Sequence, residues 1–243
     1  MRSTYHPETI DNFFDSRLCA RQLVADLGPE AQKTFEVLKQ MKDFPAGSTI
    51  FAEGEPPEGV FVLNRGQAKL ILNSNGQREQ IVRVAGPGEL LGLSATIADE
   101  PYEVTARALS PCRMDFISRA KFLNFLHEHG EACFRIVQLL GQTLHESYEQ
   151  FRLFERTPSA AVKLAYVLLN WSEEGEKTSE GIRLNIPLTH EGIARMIGTS
   201  RETVTRAFGD FKSRQIISVE GSTLLIRDQP ALRAIRALAR TKL

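Results

Sequence analysis

Between residues 43 and 118 the apolar positions come in short bursts: STIFAEG, GVFVLNRG, AKLILNSNG and EQIVRVAGPG. The bursts are rich in Val, Ile and Phe and are punctuated by Gly47, Gly54, Gly59, Gly66, Gly76, Gly86 and Gly88. Short strands with glycine turns every ten or so residues predict an all-β roll or barrel. Asn75-Gly76 is a hairpin signal, because both central positions of a type I′ turn require positive φ. The stretch EVTARALSPCRMDFIS predicts two more strands around Ser110-Pro111, closing the β region near Ser118. Ahead of it, Phe35, Leu38 and Met41 recur at spacing three and predict a helix over Pro29–Met41.

After Ser118 the glycines thin out and the period changes. Ser118 is an N-cap candidate for a helix through Phe122, Phe125 and Leu126. Phe134, Val137, Gly141, Leu144, Tyr148 and Phe151 then follow at spacings 3, 4, 3, 4, 3, an a/d repeat across nearly three heptads. A single amphipathic helix lying on its own domain would show such a stripe. A second row, Ile136, Leu139, Leu140 and Thr143, is left over to pack on the β domain, so the first row is expected to be a dimer seam. Arg156-Thr157-Pro158 breaks the pattern and predicts a hinge, since proline removes a donor and biases its predecessor out of the helix. Beyond it come a helix over Ser159–Trp171, with Val162, Ala165, Tyr166 and Leu169 on one face, an exposed loop SEEGEKTSEG, and a short strand in IRLNIPL.

The last third reads LTHEGIARMIGTSRETVTRAFGDFKSRQIISVEGSTLLIR. Thr189 is expected to cap a helix over His190–Ile197, and Gly198 to stop it with positive φ. Ser200 is placed to cap a second helix, with Thr203 where a capping box would carry Glu or Gln. Val204, Phe208 and Phe211 form that helix's buried face, and IISVEGSTLLIR supplies a strand, turn and strand. Two short helices about a glycine turn, followed by a β-wing, predict a winged helix-turn-helix. The outward face of its second helix carries Arg201, Glu202, Thr205 and Arg206. Arginine pairs bidentately with guanine, and a carboxylate accepts from cytosine N4.

Charge sharpens this picture. The 243 residues carry no net charge, which taken alone predicts no polyanion partner. From Thr189 to Leu243, however, ten basic residues face five acidic ones, so a domain of +5 sits on a body of −5. That asymmetry suits a phosphate backbone. Cys19, Cys112 and Cys133 are far apart with no CxxC, which gives neither a disulfide framework nor a zinc pattern and fits a reducing compartment. With no apolar leader in the first thirty residues and no run approaching eighteen apolar residues, a soluble cytoplasmic protein is expected. No Ser-His-Asp set, P-loop, metal-ligand spacing or paired-carboxylate site stands out, so an enzyme is not expected.

From about residue 43 to 228 the sequence resembles the bacterial transcription regulators of the cyclic-AMP receptor protein and fumarate–nitrate regulator (CRP/FNR) family, most specifically in T-SRETVTR-F. The resemblance implies an α+β chain with three parts. These are an N-terminal arm and cupin-like β-roll sensor over 1–118, dimerisation helices over 119–156, and a winged helix-turn-helix over 157–243. It implies a homodimer on a DNA palindrome with TGTGA-like half-sites, contacts from Thr189, Ser200, Arg201, Glu202, Thr203, Thr205 and Arg206, and RNA polymerase as a partner.

Departures from the family bear on the effector. Cyclic-nucleotide binders of this fold open their phosphate cassette with Gly-Glu, matched by Gly88-Glu89 ahead of Leu90, and clamp the phosphate with Arg-Ser or Arg-Thr about ten residues on. Here those positions fall on Tyr102 and Glu103. Replacing a charge-assisted bidentate contact with a phenol and a carboxylate removes attraction and adds repulsion, which argues against cyclic AMP. A four-thiolate iron–sulfur cluster cannot be built from three cysteines in one chain. Haem would need an axial ligand such as His127, His129 or His145, which surface histidines explain equally well. No cofactor is therefore predicted. Redox chemistry at Cys112 or Cys133 competes with their being buried spacers. The remaining alternative is a ligand-binding module acting on a protein partner through a degenerate winged helix.

Overall fold

The computed structural model of the chain describes residues 27–72, 79–156, 159–173 and 175–237. The Asn75-Gly76 turn, the Thr157-Pro158 hinge and Cys19 lie outside them. Helix α1 (Pro29–Leu38) leads into eight strands: β1 (Gln40–Phe44), β2 (Thr49–Phe51), β3 (Gly59–Arg65), β4 (Ala68–Leu72), β5 (Gln80–Ala85), β6 (Leu90–Leu91), β7 (Thr105–Ala108) and β8 (Cys112–Ser118). A short helix α2 (Leu93–Ala98) lies between β6 and β7. The strands form two four-stranded antiparallel sheets, ordered β1-β8-β3-β6 and β2-β7-β4-β5. This is the expected roll.

Strand β3 shows why the roll has two cores. Its side chains alternate between faces, as the two-residue period of a strand dictates. Phe61 and Leu63 enter the roll's interior with Phe51, Leu70, Met114 and Phe116, while Val60 and Val62 join Phe35, Phe122 and Phe125 beneath the helices. Buried on both sides, β3 reads as the unbroken apolar run GVFVL. Gly59 is required where β3 meets β8: a Cβ there would stand 2.1 Å from the Ile117 carbonyl oxygen.

Helices α3 (Arg119–Glu128) and α4 (Gly130–Arg156) follow β8. Ser118 stands at the N-cap of α3, but its side chain makes no capping bond. The 27-residue α4 buries Ile136 and Leu139 against the helix-side core, with Leu140 packed beside them. Helix α1 stops at Leu38, shorter than expected. Met41 instead lies on the edge strand β1 and is 66% exposed, because pairing of Gln40–Phe44 with β8 captures the chain.

The C-terminal domain comprises α5 (Ala160–Ser172), β9 (Glu176–Thr178), β10 (Gly181–Asn185), α6 (His190–Ile197), α7 (Arg201–Ser213), β11 (Ile217–Glu220), β12 (Thr223–Ile226) and α8 (Gln229–Ala237). Its sheet runs β11-β12-β10-β9. The expected loop SEEGEKTSEG is in part strand β9, paired with β10 through Glu176↔Arg183 and Gly181↔Thr178. Polar residues satisfy the backbone of an edge strand as well as apolar ones do, which is why composition concealed it. Helix α5 is buried on more than one face, with Leu164, Val167, Leu168 and Trp171 inside as well as the expected stripe. This domain's core also takes in Ile81 of β5, with Val84 and Leu109 packed against it.

Phe35 has no exposed surface, and its ring centroid lies 5.3 Å from that of Phe125. Phe35→Ala is expected to cost about 3–5 kcal/mol, read as a lowered midpoint of urea denaturation.

Candidate functional site

The helix-turn-helix is built by caps and a glycine. Thr189 Oγ1 accepts the Gly192 N–H at 3.2 Å, satisfying an orphan donor at the start of α6. Gly198 ends the helix at φ 65°, in the left-handed region open to glycine. Ser200 Oγ accepts the Thr203 N–H at 3.2 Å, capping α7, and lies 3.0 Å from the Thr203 hydroxyl. Val204, Ala207, Phe208 and Phe211 bury the inner face of α7. Gly221 turns β11 into β12 as the wing.

The opposite face of α7 is turned to solvent. Arg201, Glu202, Thr205 and Arg206 are exposed, and neither Arg201 nor Arg206 forms an ion pair among the described residues. Neighbouring cations do: Arg195 pairs with Glu191 and Arg214 with Asp210. The seven residues expected at the interface thus divide. Thr189, Ser200 and Thr203 hold helix starts. Arg201, Glu202 and Arg206 stand outward on the first two turns of α7, and Thr205 has a third role.

Thr205 Oγ1 donates to the Arg201 carbonyl oxygen at 2.9 Å and also lies 2.9 Å from His190 Nδ1. The His190 ring stacks on Phe208, with centroids 4.7 Å apart and planes 22° apart. This bridge from the start of α6 to the middle of α7 was not expected. A lone histidine in LTHEG carries no pattern, and only the crossing of the two helices brings it to Thr205.

Along α4, the outer stripe is bare. Phe134, Val137, Leu144 and Tyr148 are 65%, 60%, 55% and 59% exposed, and a Cβ added to Gly141 would meet nothing. Phe151 lies further along the same helix. Cys133 next to the stripe is exposed, whereas Cys112 is buried with its sulfur 3.2 Å from the Gln67 and Ser110 carbonyl oxygens. Burial pushes the Cys112 thiol up, away from the reactive thiolate.

Inside the roll, Tyr102 does not face a ligand site but is buried. It is 2% exposed and stacks on Phe51 at 4.1 Å. Its hydroxyl donates to the Gly59 carbonyl oxygen at 3.0 Å and accepts the Glu58 N–H at 3.1 Å. Burial raises its pKa, so the phenol stays neutral. Gly88 bonds its N–H to the Leu63 carbonyl at 2.6 Å, and Leu90 pairs with Val62 in the sheet. Glu89, 2% exposed, accepts the Gly86 N–H at 2.7 Å and pairs with Arg83. Glu103 accepts the Ser94 hydroxyl. Arg107, on the returning strand, bonds Glu79 at 2.8 Å and holds that carboxyl below the usual range, with Lys69 adding to the effect. The five expected cassette residues are thus tied into the roll's own bonding.

Of the candidate haem ligands, His127 bonds the Leu123 carbonyl and His129 packs on Phe125. Among the described residues no group of three His, Cys, Asp or Glu side chains is arranged to hold a metal, and no helix is long and apolar enough to cross a membrane.

Comparison with known proteins fits this geometry. Residues 41–129 match the model of the cyclic nucleotide-binding domain, and residues 162–235 that of the Crp-like helix-turn-helix domain. A "CRP-like cAMP-activated global transcriptional regulator" of Mycobacterium tuberculosis is 28% identical over 84% of this chain and 92% of its own. The "Transcriptional activatory protein AadR" of Rhodopseudomonas palustris is 26% identical over 96% and 98%. Among solved structures, FixK2 from Bradyrhizobium japonicum superposes with a TM-score of 0.74 at 18% identity, covering 81% of this chain and 96% of that one. A CooA mutant from Carboxydothermus hydrogenoformans gives 0.68 at 21%, covering 91% and 96%. With both domain models matched in order, the chain belongs to the CRP/FNR family of transcription regulators.

Tyr102→Phe keeps the stack on Phe51 and strands the Gly59 carbonyl and Glu58 N–H. It is expected to lower stability by about 1–3 kcal/mol in chemical denaturation.

Proposed function

We propose that the protein is a sequence-specific DNA-binding regulator of transcription, acting as a homodimer on a palindrome with TGTGA-like half-sites and not controlled by cyclic AMP. The observation that carries this is the outward set Arg201, Glu202 and Arg206 on the first two turns of α7, with neither arginine in an ion pair among the described residues. The N-terminal part of a recognition helix enters the major groove, where arginine reads guanine and a carboxylate reads cytosine. The bare stripe on α4 supports the dimer, because burying four large apolar side chains against a second copy removes them from water. A two-fold dimer then presents two recognition helices to two half-sites.

Cyclic AMP is the activator in the mycobacterial relative's name. Here the expected clamp positions hold a buried phenol and a carboxylate, and Arg83 and Arg107 each have a carboxylate partner. Phosphate binding at that place would compete with both ion pairs and gain no cation from Tyr102 or Glu103.

Selection of bound sequences from a random DNA pool, with and without cell extract, is expected to return an inverted repeat. An unstructured pool would overturn the DNA-binding reading in favour of a protein-interaction module. In binding assays on the selected duplex, Arg206→Ala should cost about 1–3 kcal/mol at one base pair. Equal loss on all sequences would assign it to a phosphate instead. Calorimetric titration with cyclic AMP should show no binding, and micromolar binding with tightened DNA affinity would refute that part.

A further inference from the structure

The bridge between His190 and Thr205 fixes the tautomer of the ring. Thr205 has a single hydroxyl proton, and it is spent on the Arg201 carbonyl oxygen. Toward His190 the hydroxyl can only accept, so Nδ1 carries the ring's proton and donates it. Stacking on Phe208 prevents the ring from turning over freely. In the neutral ring, Nε2 on the opposite edge is therefore a lone pair, and no hydrogen bond engages it among the described residues.

The position of this lone pair matters. His190 is the first residue of α6, next to the capping Thr189, and it is tied to the residue preceding Arg206. Lys212 and Arg201 lie near enough to act on the ring electrostatically. A lone pair meeting a phosphate oxygen is repulsive, whereas a protonated Nε2 donates a charge-assisted bond.

We propose that His190 takes up a proton when the helix-turn-helix docks on DNA, and that its Nε2–H then contacts the phosphate backbone. This rests on the DNA-binding reading above. The charged groups that bear on the ring are Arg201 and Lys212, both on α7, while Glu191 beside it on α6 is engaged by Arg195. Burial first, and then those two cations, hold the ring of the free protein below its usual pKa of 6.5. A phosphate reverses the balance and raises it. A group whose pKa rises on binding contributes fully below its free value and loses that contribution as pH climbs through its bound value. DNA affinity therefore falls with rising pH, in a window that opens below 6.5.

The test uses the full chain and a labelled duplex carrying two TGTGA half-sites as an inverted repeat, or the selected half-site where that differs. Affinity is measured from about pH 5.5 to about pH 8 at constant salt. Wild type should lose affinity about tenfold per protomer for each unit by which DNA raises the ring's pKa. His190→Asn keeps a donor for Thr205 but cannot ionise, and should flatten this dependence. His190→Arg, permanently charged, should be flat as well, and tight throughout. Equal pH slopes in wild type and both variants would overturn the proposal. So would an affinity loss in His190→Asn that is the same at every pH, since that marks a purely structural bridge. No binding of wild type to any duplex at any pH would instead remove the DNA-binding reading, and this inference with it.

Discussion

Ile136 and Leu139 of α4 are buried against the layer of Phe35, Phe122 and Phe125, and the orientation of the long helix follows from that packing. Each such side chain taken out of water is worth about 1.5–3 kcal/mol, enough to fix the azimuth of the helix on the sheet. Once one stripe is committed, the helical period decides the rest. Phe134, Val137, Leu144 and Tyr148 must come out on the far side, whatever their preference for water. The roll thereby decides which face of α4 is left exposed.

The roll and the winged domain are not independent bodies. The roll's interior is closed by aromatic stacking of Phe51 on Tyr102, and its polar groups are consumed internally. Its outer edge, by contrast, takes part in the other domain. Ile81 of β5 belongs to the core that buries Phe208 and Phe211, the residues that seat α7. A disturbance of β5 has a short physical route to α7 that does not pass along α4.

Much of this was legible in the sequence because it is local. The turn at Gly198, the caps at Thr189 and Ser200, and the period of Val204, Phe208 and Phe211 each follow from spacing over a few residues. The strands of the roll were legible for the same reason, their glycines marking the ends. What escaped depends on pairing across distance. The period places Met41 on a helix, but the ladder with β8 claims it. Strand β9 has the composition of a loop and exists because β10 offers an edge. Tyr102 falls at a phosphate-clamp position of the cassette, and sequence gives that place but not the direction of the side chain. The ring turns inward because Phe51 and the Gly59 carbonyl oxygen are there to receive it. His190 could not be found from spacing at all, its partner lying fifteen residues away on another helix.

The shared core at Ile81 has a consequence for how far the chain is modular. A boundary drawn in the linker before α5 would separate the two domains in sequence, yet it would cut through a hydrophobic core. The reading head carried alone, or transplanted to another roll, would expose the surface that Ile81, Val84 and Leu109 now cover. In this chain, moving the C-terminal domain without β5 would leave part of its core uncovered. The portable unit is discontinuous: one strand from the first half of the chain and everything after α4.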